Sequence, residues 1–262
     1  KIEFYKSKGA ISFKAESKII LQSNKVGLSI INKSTKVGES FSLQTDLSFR
    51  DNKNILIKNL TLQNDDNFFE IDDIVLNKTY NLVDFKKIRV KTKENKTVNN
   101  DFIIKNNKES IIIDGKIFDA TILLKELDEP EKNNNFLKKI SKNIEVDFSK
   151  VLTDTEFPFN KFRMVGLLKK GRLEKISAKS EFEEDKFLDI AIKKEKNTNM
   201  SLVEIYSDIA RPLVNSYDFF EGLEGGNLIY SSKSNNKKSS GVLEIKNFKL
   251  NKAPGLAKLL SL

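Results

Sequence analysis

Apolar side chains stand at every second position over long stretches of this chain. Phe41, Leu43, Thr45, Leu47 and Phe49 alternate with Ser42, Gln44, Asp46 and Ser48. A period of two is the repeat of a β-strand with one dry and one wet face, here about 30 Å long. Ile11, Phe13, Ala15, Ile19 and Leu21 oppose Ser12, Lys14, Glu16 and Lys18 in the same way, as Leu188, Ile190 and Ile192 oppose Asp189 and Lys193. Further strands are predicted at 25–31, 55–62, 68–76, 85–92, 101–104, 110–113, 144–148, 161–168, 173–179, 201–206, 227–231 and 242–250. In the last, the apolar phase shifts from Leu243 and Ile245 to Phe248 and Leu250, which predicts a bulge at Lys246 or Asn247.

Short polar turns separate these runs, among them 51–54, 63–67 and 234–237, whose Asn and Asp residues tolerate turn backbone angles. Connections this short imply antiparallel neighbours, and the crossover helices that a parallel sheet requires are missing. Three segments break the strand pattern. Asp119 is placed to cap a short helix through Leu127, stopped by Glu129 and Pro130. A second helix is expected from an Asp208 cap to Phe220, with Ile209, Leu213, Tyr217 and Phe220 on one side. A third starts at Pro254, a residue favoured at the first helical position. The expected fold is therefore mainly β, an elongated, curled antiparallel sheet with a few short amphipathic helices. The stretch through Asn133, Asn134 and Asn135 is the linker candidate, dividing an N-terminal β-meander (1–130) from a β-rich C-terminal part (131–262).

Composition removes most familiar chemistry. The chain of 262 residues has no histidine, cysteine or tryptophan. Triads built on imidazole or thiolate, CxxC redox motifs and thiolate or imidazole zinc sites are therefore excluded. Carboxylates remain, in the pairs Asp65–Asp66 and Asp72–Asp73 and in the run Glu183, Glu184, Asp185, but they lack the spacing of a calcium loop. Gly225 and Gly226 have no phosphate-cradle pattern around them and read as a tight turn after a helix. No catalytic, metal or cofactor residues are assigned, and an enzyme is not expected. Net charge is +9, yet only five of the 46 basic residues are arginine (Arg50, Arg89, Arg163, Arg172 and Arg211). Scattered lysine argues against a nucleic-acid surface, where arginine forks and aromatic stacking cluster. No apolar run approaches the roughly 20 residues of a membrane span.

The alternating apolar stripes carry the one signal on the scale of a ligand, and they have two readings. Either the stripes close on one another as ordinary core, or a long curled sheet leaves its apolar face to acyl chains. In the second reading Phe41, Leu43, Leu47, Phe49, Leu188, Ile190 and Ile192 face lipid, and the helix beginning at Asp208 covers or closes a sheet edge.

The C-terminal residues bear a resemblance. The run from Tyr206 through Asp208, Arg211 and Pro212 to Tyr217 and Asp218, followed by Leu223, Gly225, Gly226 and Leu228, resembles the helix, double glycine and strand of the AsmA-like C-terminal region of YhdP-type envelope proteins. The closing run, from Gly241 and Val242 through Phe248, Ala253, Pro254 and Leu256 to Leu259 and Leu260, is similar to that family's strand, Ala-Pro and leucine-rich ending. Upstream, Ile113, Gly115, Asp119 and Ala120 resemble its strand with a glycine before an Asp-Ala helix start. The matching positions are thus Asp119, Asp208, Tyr217, Gly225, Gly226 and Pro254. The resemblance implies an interior piece of a longer protein, anchored in the inner membrane of a diderm bacterium through a part of the chain not present here. It implies a periplasmic β-groove for phospholipid acyl chains, no catalytic residues, a part in phospholipid transport and outer-membrane integrity, and envelope proteins as partners. The alternative it leaves open is a structural or protein-binding β-scaffold without lipid cargo.

Overall fold

The computed structural model describes residues 2–7, 10–20, 27–28, 33–34, 39–50, 55–79, 81–121, 123, 141–170, 172–183, 185–195, 200–214, 222–235 and 238–251. The strands begin with β1 (Ile2–Ser7), β2 (Ala10–Ile20), β3 (Gly27–Leu28), β4 (Lys33–Ser34), β5 (Ser40–Arg50) and β6 (Ile55–Gln63). They continue with β7 (Asn67–Leu76), β8 (Leu82–Asp84), β9 (Lys87–Glu94), β10 (Thr97–Asn106), β11 (Ser110–Asp119) and β12 (Lys142–Leu152). The last six are β13 (Phe159–Lys169), β14 (Arg172–Glu181), β15 (Phe187–Lys194), β16 (Ser201–Ser207), β17 (Leu223–Ser234) and β18 (Ser239–Leu250). One helical turn, α1 (Arg211–Val214), is complete among the described residues.

All but β3 and β4 join one curled, unclosed sheet of 16 strands that runs from β1 at one end to β18 at the other. Neighbours follow chain order, and where the connection is a short polar turn it leaves no room for anything else. The β9–β10 hairpin turns on Asn95 and Lys96, both at positive φ, the backbone hand that matches strand twist. The predicted strands are present, most of them a few residues longer at their ends, except 25–31, of which only Gly27 and Leu28 are described, in a short strand outside the main sheet.

Four expectations need correction. First, one neighbouring pair is parallel: β11 and β12 run side by side from Ser110↔Asn143 to Asp119↔Leu152. The connection between them is long enough to return the chain to the same end of the sheet, which short turns elsewhere cannot do. Second, Asp208 does not cap a helix. Its carboxylate accepts the Phe187 amide (2.9 Å) and the Tyr206 hydroxyl (2.6 Å), and helical backbone starts only at Arg211. Third, Gly225 and Gly226 form no turn: they lie inside β17 at φ 64° and 79°, opposite Asn247 at 58°. The β17–β18 register runs unshifted through this point, from Gly225↔Phe248 to Asn227↔Lys246, so the bulge that the phase shift predicts at Lys246 or Asn247 is not formed. Fourth, helices are nearly absent among the described residues. Besides α1, Thr121 and Leu123 have helical backbone, while the rest of the first helix, the second beyond Val214 and the third from Pro254 lie outside them.

Candidate functional site: the apolar face

Each antiparallel or parallel partner pair lies on one face of a sheet, so the register can be followed from edge to edge. From β1 to β18 one line of paired positions runs Ile2, Ala15, Thr45, Leu60, Ile71, Ile88, Ile104, Ile113, Val146, Met164, Ala178, Ile190, Ile205, Tyr230, Leu243. It crosses every strand on the path and is broken by a purely polar side chain only at Thr45. With neighbouring strands about 4.8 Å apart, the line is about 67 Å long.

Two further lines flank it. On one side Leu43, Leu62, Phe69, Val90, Phe102, Gly115, Phe148 and Phe162 are consecutive partners. On the other, Ile111, Ile144, Gly166, Ile176, Ile192 and Val203 are. The opposite face is wet, and oppositely charged side chains bridge its strands. Lys87 reaches Glu70 (3.2 Å) and Asp72 (3.1 Å), and these two carboxylates hold its ammonium pKa above the ordinary value. Arg163 meets Asp147 and Lys179 meets Asp189, each at 3.2 Å. Exposed pairs of this kind add little stability but keep that face hydrated.

The apolar face is unevenly covered. Around Gly115 it is well packed: Phe102, Phe118 and Phe148 stand with ring centroids 5.4–5.9 Å apart, joined by Val90, Val151 and Ala120. Asp119 holds the chain as it leaves β11 here. Its Oδ1 accepts the Thr121 amide (3.1 Å) and hydroxyl (2.6 Å), while the helix it is expected to cap lies outside the described residues beyond Thr121 and Leu123. Behind it lies a buried polar knot in which Thr92 donates to Asn99, Asn100 donates to Thr92, and the Asp119 amide donates to Asn100.

Near β16–β18 the segment after Ser207 packs on the same face. Ala210 and Val214 bury Leu223 and Leu228, and the Ala210 amide donates to the Gly226 carbonyl (2.9 Å). Arg211 forms a 2.6 Å ion pair with Glu156 and lies over the Phe157 ring. Glu156 and Phe157 belong to the β12–β13 turn, so this contact spans β14 and β15.

Burial varies along the central line. Ala178 is buried, Ile88, Ile104, Ile113, Val146, Ile205 and Tyr230 pack against the two clusters, Leu60, Ile71, Met164 and Ile190 are half-buried outside them, and Leu243 is 43% exposed at the edge.

Of the lipid-facing candidates, Ile190 lies in the central line, and Leu43 and Ile192 in the flanking lines, on one face. Phe41 and Leu188 share that face but are packed by polypeptide, at 3% and 1% exposure. Leu47 and Phe49 lie in β5 by backbone, with side chains outside the described set, as are Tyr217 and Pro254 altogether. The candidates do not converge on one spot: β5 and β15 are nine strand spacings apart. What single stripes could not reveal is the middle of the line, from Ile71 to Met164. The alternation of Ile88 and Val90 with Lys87, Arg89 and Lys91 carries that signal; in the unbroken run Ile111, Ile112, Ile113 it is hidden.

Among the described residues no cluster of three or more acidic side chains is arranged to hold a metal ion, and no helix is long and apolar enough to cross a membrane. No protein family, curated protein or solved structure matches the chain.

Proposed function

We propose that the apolar face is an acyl-chain groove, and that the chain is a periplasmic segment of an AsmA-like, inner-membrane-anchored protein that moves phospholipid between the two membranes. The observation that carries the reading is the line of paired, mostly apolar positions that crosses the sheet from β1 to β18, half-buried at Leu60, Ile71, Met164 and Ile190. Each Å² of hydrocarbon that exchanges water for this face contributes about 25 cal/mol, and the contributions along the line are similar. Similar weak sites in a row let a chain slide, whereas one deep pocket holds it. The family assignment rests on the order of residues from Tyr206 onward and on Asp119, which accepts the Thr121 amide where the chain leaves β11. Envelope proteins are the expected partners at its ends, and no catalysis is proposed.

The test is photo-crosslinking in cells from Ile190 and Leu43, with Asp189 on the wet face as control. Lipid adducts at the first two and none at the third support the groove. Adducts to protein alone at all three would refute it.

A second reading, a protein-binding β-scaffold, draws on β18. This edge strand exposes Val242 (67%) and Phe248 (42%) beside backbone groups that no described strand pairs. Native mass spectrometry separates the two, because a scaffold without cargo carries no phospholipid through purification.

A further inference from the structure

The turns joining the strands fall into two rows, one along each long margin of the apolar face, and the rows differ in charge. Among the described residues, the connections along one margin carry Lys78, Lys86 (paired with Asp73), Lys108, Lys170 and Lys238, against Asp84, Glu109 and Glu195. The other margin carries Asp65 and Asp66 between β6 and β7, Asp154 and Glu156 between β12 and β13, and Glu183 and Asp185 between β14 and β15. Among the described turn residues of that margin, acidic ones outnumber Lys96, Lys186 and Arg211.

We infer that the groove selects anionic glycerophospholipids and orients them, with headgroup phosphates along the lysine margin and acyl chains across the central line. This rests on the groove reading above. A lipid lying across the strands must place its headgroup at one margin or the other. The acidic margin repels an anionic phosphate and the basic one attracts it within a Debye length of about 8 Å. The two margins therefore act together, and lysines spaced turn by turn offer the next contact before the last is lost.

The test loads the 262-residue chain from vesicles of equal phosphatidylglycerol and phosphatidylcholine and reads bound lipid by native mass spectrometry. The expected phosphatidylglycerol preference is about fivefold, the size of one or two half-exposed ion contacts. It collapses in Lys108→Glu/Lys170→Glu and persists in Lys96→Glu/Lys186→Glu. Both double variants change net charge equally, and each has one exchange at a positive-φ turn position. Should the first variant misfold, raising ionic strength on the unaltered chain provides the same comparison, with the preference expected to fall. Equal loading of both lipids, or an equal loss of preference in the two variants, overturns the orientation while leaving the groove. Absence of both lipids overturns the groove and the orientation with it.

Discussion

At Gly115 the ring of Phe148 lies over bare backbone. A Cβ there would stand 2.5 Å from Phe148 Cε1, 2.6 Å from Phe102 Cβ and 2.8 Å from the Asp101 carbonyl oxygen. Gly115→Ala must push apart an aromatic cluster on three strands, and its expected cost is about 1–3 kcal/mol in urea unfolding, typical of overpacking. A loss near zero would mean that the cluster yields freely. Thr45 is the opposite case. Its hydroxyl is buried in the apolar line without a hydrogen-bond partner. Thr45→Val keeps the branched shape and removes the unsatisfied group, so it is expected to stabilise by about 1 kcal/mol. A destabilised variant in the same unfolding series would show that the hydroxyl is in fact bonded.

Between strands, Asp208 joins the end of β16 to the start of β15 through the Phe187 amide and the Tyr206 hydroxyl. Foremost the Tyr206 bond, and then the Phe187 amide, hold its carboxyl below the ordinary 3.8, while the same contact raises the Tyr206 phenol above its ordinary 10.0. The folded state therefore favours ionised Asp208: its contribution is present above pH 3.8 and is lost as pH falls below it. Asp208→Asn should lower the melting temperature at pH 7 and lose that difference toward pH 3; a gap constant with pH would refute the linkage. This junction also explains why sequence misplaced the second helix. An Asp before Ile209, Ala210 and Arg211 is the pattern of a cap, but a strand end competes for the same carboxylate and wins. Alternation was a reliable guide to β5 or β9 because it reports which face is dry. It carries nothing about which strand lies alongside, so the parallel β11–β12 pair was illegible, as was the place of Gly225 and Gly226 inside β17, since the positive φ a glycine pair allows suits a turn as well as a strand interior.

Across the whole molecule, one face is apolar from edge to edge while the other bears cross-strand ion pairs, and no second described sheet of comparable size exists to pair with the dry side. Such a surface is ordinarily completed by something else. If that something is a sliding acyl chain, passage depends on the weakest point of the line rather than on its average. Met164, half-buried in the central line and outside both packed zones, is the place to interrupt it. In Met164→Glu the carboxylate must be desolvated whenever hydrocarbon passes, a cost that lowers transfer of fluorescent phosphatidylglycerol between donor and acceptor vesicles by about tenfold or more. Bound lipid per chain stays close to the unaltered level, since the line on either side remains dry. Transfer and loading that fall in proportion would instead describe separate, static binding sites, and transfer that does not fall at all would remove this face from the path.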